Sequence, residues 1–201
     1  MLQIRKLTSA FMLAAVIIPL AGCGSTPDLS PDDASNQIAE NLAAGKVEAA
    51  EEIFDGVDRS DEHRSAIRAT VYERAGAYYR ADRFREAIAL LRFLNEHYPD
   101  QSAPRLALLY AHFHQRGKTN AVPGAKNLKE VNGLIETIRE EDEKYPAWVD
   151  LAAAQAAVDG SRIETARKEY AQFKSKWDGR PREFAFYVEE FERYFRMLDG
   201  A

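Results

Sequence analysis

The side chains able to do catalysis or bind metal are few, and their spacing suits neither task. The four histidines are His63, His97, His112 and His114, and none falls in a helical metal-binding pattern such as H-E-x-x-H. His112 and His114 stand two apart, which on a helix turns them about 200° from one another, so they cannot chelate one ion. His97 precedes Tyr98-Pro99 at a helix end, where the helix dipole favours it. Cys23 is the only cysteine, so no intramolecular disulfide can form. There is no nucleophile elbow and no phosphate-binding glycine loop. Acidic residues lie along solvent faces with arginines nearby, as in Glu73 and Arg74 or Glu189 to Arg193. An active site would need residues that carry no sequence signature. The expectation is therefore a chain that is not an enzyme, with no catalytic residue, no metal, no cofactor and no small-molecule substrate.

The element that sets where such a chain works is its N-terminus. Arg5 and Lys6 form a positive n-region, and Ala10 to Leu20 an apolar run interrupted only by Pro19. That run is too short to span a bilayer as a permanent helix. It closes on Leu20-Ala21-Gly22-Cys23, which resembles the lipobox of bacterial lipoproteins; the alternative is an ordinary secretory signal with an incidental cysteine. The resemblance implies that residues 1–22 are a removed signal peptide and that Cys23 carries the lipid, palmitate included. Gly24 stands where an aspartate would retain such a lipoprotein in the inner membrane. The implied location is thus the bacterial outer membrane, lipid-anchored and facing the periplasm. More than one acyl chain anchors stably. Residues 23–29 are then the lipidated cysteine and a short linker, whose extended reach of ~20 Å keeps the body near the bilayer.

Charge excludes another class of partner. The chain's formal charge is -5, and removing Arg5 and Lys6 with the leader makes it -7. An acidic body lacks the basic face that nucleic acid requires. No basic amphipathic segment suggests contact with anionic lipid beyond the anchor.

The remaining residues, 30–201, are enough for one domain with a continuous core. Ser30 as N-cap, Pro31 at the first helical position and Asp32 and Asp33 after it predict a helix over Pro31 to Ala43. Lys46 to Val57 follows Gly45, with Val47, Ala50, Ile53, Phe54 and Val57 on one side. Ser60, with Asp61 and Glu62, predicts the cap of a longer helix running to Arg80. After a break at Ala81-Asp82-Arg83, Phe84, Ala87, Ile88, Leu91 and Leu94 share one helix face, and Tyr98-Pro99 stops it. Ser102 starts the next helix, with Pro104 in its first turn and Leu106, Leu109, Tyr110 and Phe113 along it. Gly117 to Gly124 is expected to be a loop, and Leu128 to Glu143 its partner helix, ending at Tyr145-Pro146. Residues 116–129 hold Arg116, Lys118, Lys126 and Lys129 and no acid, either a solvated loop or a partner contact. Trp148, Leu151 and Ala152 to Ala157 form a small-residue helix broken at Asp159-Gly160. Ser161 with Glu164 predicts a capping box for the helix through Ala166, Tyr170 and Phe173. A last helix, 181–198, places Phe184, Val188, Phe191, Phe195 and Leu198 in a narrow stripe, with Phe186 on its polar side.

The stretch from Arg68 to Gln101 resembles a tetratricopeptide repeat, a helical hairpin of about 34 residues that cannot bury its faces without a stacked neighbour. Ala75 matches the small residue of the first helix and Tyr78 its aromatic. Phe84, Ala87, Ile88, Leu91 and Pro99 fall where the second helix expects them. The departures are Val71 for tryptophan, Arg74 for leucine and Asp82 for glycine. Gly45, Val47, Ala50 and Phe54 fit the second half of a unit starting at Pro31, without its closing proline. The fold implied over residues 31 to 177 is all-α: a short right-handed solenoid of about four such hairpins, plus a C-terminal capping helix.

Family geometry implies that the first helix of each unit lines a concave face. On the second unit this places Ala69, Tyr72, Gly76, Tyr79 and Arg80 inward, and on the third Ala103, Leu106, Tyr110, Phe113 and His114. Tyr72, Tyr79, Arg80, Leu106, Tyr110, Phe113 and His114 are therefore the candidate partner-binding residues; the alternative is burial against neighbouring helices. The layout is similar to the lipoprotein subunit of the outer-membrane β-barrel assembly machinery and to the pilotins of type IV pilus secretins. It implies a periplasmic protein–protein adaptor in assembly of a cell-envelope complex. The alternatives are a non-catalytic recruiter of cell-wall hydrolases and an enzyme without a recognisable motif.

Overall fold

Ser30 Oγ accepts a hydrogen bond from the Asp33 amide at 3.1 Å, and Pro31 follows where its missing amide costs nothing. From this start the computed structural model describes residues 29–57, 59–119, 125–180 and 182–200, and all their regular structure is α-helical. The helices are α1 (Pro31–Ala43), α2 (Val47–Gly56), α3 (Asp61–Arg80), α4 (Phe84–His97), α5 (Ser102–Thr119), α6 (Ala125–Glu141), α7 (Trp148–Asp159), α8 (Ile163–Lys176) and α9 (Phe184–Leu198). The expected signal peptide at 1–22, Cys23, the linker up to residue 28 and the centre of the 116–129 segment lie outside the described residues. Among those described, no helix is long and apolar enough to cross a membrane.

Three of the hairpin turns are built alike. Gly45, Asp82 and Ser161 take positive φ values of 74°, 58° and 57°. In each turn that residue's amide bonds the carbonyl three back, to Leu42, Tyr79 and Val158. The next amide bonds the carbonyl five back, to Asn41, Tyr78 and Ala157. This paired pattern satisfies the loose carbonyls of a helix end and reverses the chain tightly. Asp82 thus adopts the backbone that glycine supplies in the repeat it departs from. Ser161 does the same and is lost to capping: no side chain caps α8, so the predicted box with Glu164 does not form. A hydroxyl on a left-handed residue that ends one helix does not cap the next.

The boundaries differ from expectation elsewhere too: α6 begins at Ala125, three residues before the expected Leu128, and ends at Glu141, two before the expected Glu143. Gly117, Lys118 and Thr119 are the last turn of α5 and not a loop, because a helix already packed along its length carries one glycine at modest cost. Helix α9 begins at Phe184, three residues after the expected 181, and Leu198 is 48% exposed because the apolar stripe outruns the surface beneath it.

Helix α1 packs on α2 and lies along α3 and α4, and from α3 to α8 each helix packs on the next. Small residues permit the close approach: Ala34, Ser35 and Ala39 of α1 and Ala75 of α3 are buried. Phe54 of α2 meets Phe93 of α4 edge-on at 5.1 Å. Helix α7 is buried on nearly every side, and its alanines let α8 pack closely on it. One wholly buried carboxylate ties this end together. Asp150 receives Arg139 at 2.6 Å, Lys176 at 2.9 Å and the Tyr145 hydroxyl at 2.9 Å. At the other end His63 Nε2 lies 3.2 Å from the Leu29 carbonyl, fixing where the chain joins the helical body.

Candidate functional site

Helices α3 and α5 do not approach as α1 and α3 do. They meet through rings: Tyr79 stands 5.7 Å from Tyr110 and 5.9 Å from His114. Aromatic side chains hold the two backbones apart where alanines would have drawn them together, and the gap is a groove. It consists of two hollows that share Tyr72, Ala107 and Tyr110. One, of about 270 Å³, is bounded by Gly76, Tyr79 and Arg80. The other, of about 420 Å³, is bounded by Leu106, Trp148, Glu183 and Phe184.

The residues expected at a binding face divide between groove and core. Tyr72 is 42% exposed and Arg80 is exposed, while Tyr79, Leu106, Tyr110 and His114 are half-buried on the groove wall. Phe113 is the correction. It is only 4% exposed, because Tyr187 and Phe184 of α9 cover it with ring centroids at 4.5 and 6.3 Å. The expectation took α9 for a lid on the end of the stack; α9 also reaches across to α5. Trp148, Glu183 and Phe184 were not foreseen in the groove. Glu183 and Phe184 lie 73 and 74 positions beyond Tyr110, and nothing local in the sequence links them to it.

The electrostatics of the wall follow from burial. The Tyr79 phenol is pushed up to about 12, first by desolvation and then by the charge of Glu183. Burial raises Tyr110 further, and its hydroxyl donates a hydrogen bond to the Glu183 carboxylate. Burial lowers His114 below its ordinary value, so its imidazole is neutral at neutral pH; Nδ1 lies 3.4 Å from the Tyr187 hydroxyl. The groove therefore presents uncharged rings between two charged ends, Arg80 and Glu183. Neither makes an ion pair with any described residue.

The outer side of α5 is different. A larger hollow of about 620 Å³ opens between α4, α5 and α6, lined by Arg92, Arg105, Glu130 and Thr137. Three of its charged side chains, Arg92, Arg105 and Glu130, are held in ion pairs. Arg92 grips Glu130 with two bonds of 2.6 and 2.5 Å, and His112 Nε2 stands 3.3 Å from the same carboxylate. Arg105 is paired with Glu141. Burial acts to raise the Glu130 carboxyl, but the hydrogen bonds from Arg92 and the nearby His112 imidazole outweigh it and hold the group at about 2.

The basic 116–129 segment is partly neutralised as well. Arg116 pairs with Asp159 at 3.2 Å and Lys118 with Asp82 at 3.1 Å; Lys129 is exposed, and the Lys126 side chain lies outside the described residues. Among the described residues no group of His, Cys, Asp and Glu is placed to hold a metal ion.

Compared with protein-family models, with curated proteins and with solved structures, the chain matches none. The class the fold defines is an all-α protein of helices packed on their chain neighbours.

Proposed function

We propose that the chain is a non-catalytic, lipid-anchored adaptor of the bacterial outer membrane, facing the periplasm and binding protein partners during assembly of a cell-envelope complex. In this reading residues 1–22 are removed, Cys23 is acylated and residues 30–201 form a short solenoid of tetratricopeptide-like hairpins closed by α9. The three identical hairpin turns support the repeat architecture, since each reverses the chain at the same register between a first and a second helix.

The observation that carries the function is the groove. It lies on α3, α5 and α7, the first helices of successive units, and it keeps Tyr72 exposed and Tyr79, Tyr110 and Trp148 half-exposed. Such rings anchor interfaces because they bury large area with little loss of side-chain freedom. An extended segment or a partner helix fits a groove of this form.

Two measurements test it. The Cys23→Ala variant is expected in the soluble periplasmic fraction; retention on the membrane overturns the anchor. A photo-crosslinking residue at position 72 is expected to trap an envelope partner that the same residue at exposed Arg85 does not. An integral β-barrel or a secretin identifies the assembly role, and a cell-wall hydrolase moves the protein to the recruiter reading. Equal trapping at both positions removes the groove from the function.

A further inference from the structure

The larger hollow of the groove has an uneven chemistry. Four aromatic rings line it, those of Tyr72, Tyr110, Trp148 and Phe184, and its one ionisable charge is the Glu183 carboxylate. Tyr110 and Trp148 stand 5.0 Å apart, nearly edge to face, and Tyr110 meets Phe184 at 6.4 Å. Glu183 precedes the first residue of α9, yet its side chain makes no capping bond to the helix amides. It turns to the Tyr110 hydroxyl instead, and no lysine, arginine or histidine among the described residues pairs with it. Nearly every other carboxylate that reaches across between helices in this structure meets a cation; Glu130, Glu141, Asp150 and Asp159 all do.

A carboxylate without a counter-ion beside electron-rich rings attracts a cation twice, through Coulomb attraction and through the ring quadrupoles. We propose that this hollow holds a basic side chain, arginine or lysine, of an extended partner segment, with Glu183 as its counter-charge and the aromatic rings as its walls. The adjoining hollow ends on Arg80, the opposite charge, so the groove is polar along its length and favours one direction of the partner chain. The proposal rests on the adaptor reading and specifies the partner's chemistry.

The test uses the full chain in detergent micelles and acetylated, amidated heptapeptides Gly-Ser-Leu-X-Leu-Ser-Gly, with X arginine, lysine, glutamine or glutamate. The readout is the Trp148 indole N–H resonance, identified with a Trp177→Phe variant, since the chain has two tryptophans. The arginine and lysine peptides are expected to bind about tenfold or more tightly than the glutamine and glutamate ones. Tighter binding of arginine than lysine points to stacking of the planar guanidinium, and equal binding to charge alone. Glu183→Gln is expected to abolish the preference for basic peptides, and Glu183→Lys to transfer it to glutamate. Tyr110→Phe, which removes the hydroxyl that Glu183 accepts from, is expected to keep the preference and so separates counter-charge from structural support. Four peptides binding equally, with all binding lost in Tyr72→Ala, overturns the cation pocket and leaves the adaptor groove standing. No shift at Trp148 with any peptide also overturns the pocket, and the adaptor reading is then decided by crosslinking at position 72. An unchanged preference in Glu183→Gln is equally fatal to it.

Discussion

Helix α5 carries a hollow on each side. On its outer side, between α4 and α6, Glu130 is clasped by Arg92 with His112 beside it, and Arg105 is bound to Glu141. On its inner side, toward α3, α7 and α9, Arg80 and Glu183 stand at the two ends of a ring-lined groove, and neither has a countercharge among the described residues. The outer hollow is the larger, about 620 Å³ against about 420 and 270 Å³. A charge already paired inside the fold is committed to stability, and its release for a ligand costs the pair. A charge left unpaired beside apolar surface contributes little to the fold and remains available to a partner.

That contrast can be broken by mutagenesis. The extreme of the committed kind is Asp150, wholly buried between Arg139 and Lys176. Asp150→Ala removes the carboxylate shared by Arg139 and Lys176, leaving Arg139 with Glu169 alone, and is expected to cost about 3 kcal/mol in urea unfolding. Glu130→Gln is expected to cost about 1–3 kcal/mol, since Arg92 then lacks its charged partner. It should also change the acid limb of stability. The Glu130 carboxyl is lowered in the fold from 4.5 to about 2. Its contribution is therefore complete above the unfolded value and lost as pH falls from there toward the folded one. Unfolding free energy measured across that window should fall less steeply in Glu130→Gln than in the parent protein.

Smaller effects sharpen the comparison. Ser161→Gly relieves a left-handed non-glycine residue and is expected to stabilise by about 0.5–1 kcal/mol in the same assay. Glu183→Gln should lie within about 0.5 kcal/mol of the parent. A cost for Glu183→Gln as large as that of Glu130→Gln would show that the inner carboxylate is also structural, and the distinction between the two sides of α5 would fall.

Much of the helical layout was legible beforehand. Helix α1 was placed by Ser30, Pro31 and the acids after them, and α3 by Ser60 and the break at Ala81 to Arg83. The misreadings were local conflicts settled by context. Ser161 has the residue type of a cap and the backbone of a helix end, and one residue cannot serve both. Gly117 looked like a loop residue, yet its missing side chain makes room for the Tyr187 hydroxyl, which would stand 2.5 Å from an added Cβ. Phe113 was expected in the groove because its own helix faces that way; α9 covers it.

What the sequence determined by itself is where helices begin, end and turn back, because capping and turn bonds join residues three to five apart and depend on nothing distant. Only the tertiary structure decided which charges are paired and which are left over. Arg92 meets Glu130 across 38 positions and Tyr110 meets Glu183 across 73. Such meetings depend on how far apart helices stand, and that distance is set by the side chains filling each interface: alanines between α1 and α3, tyrosines and a histidine between α3 and α5.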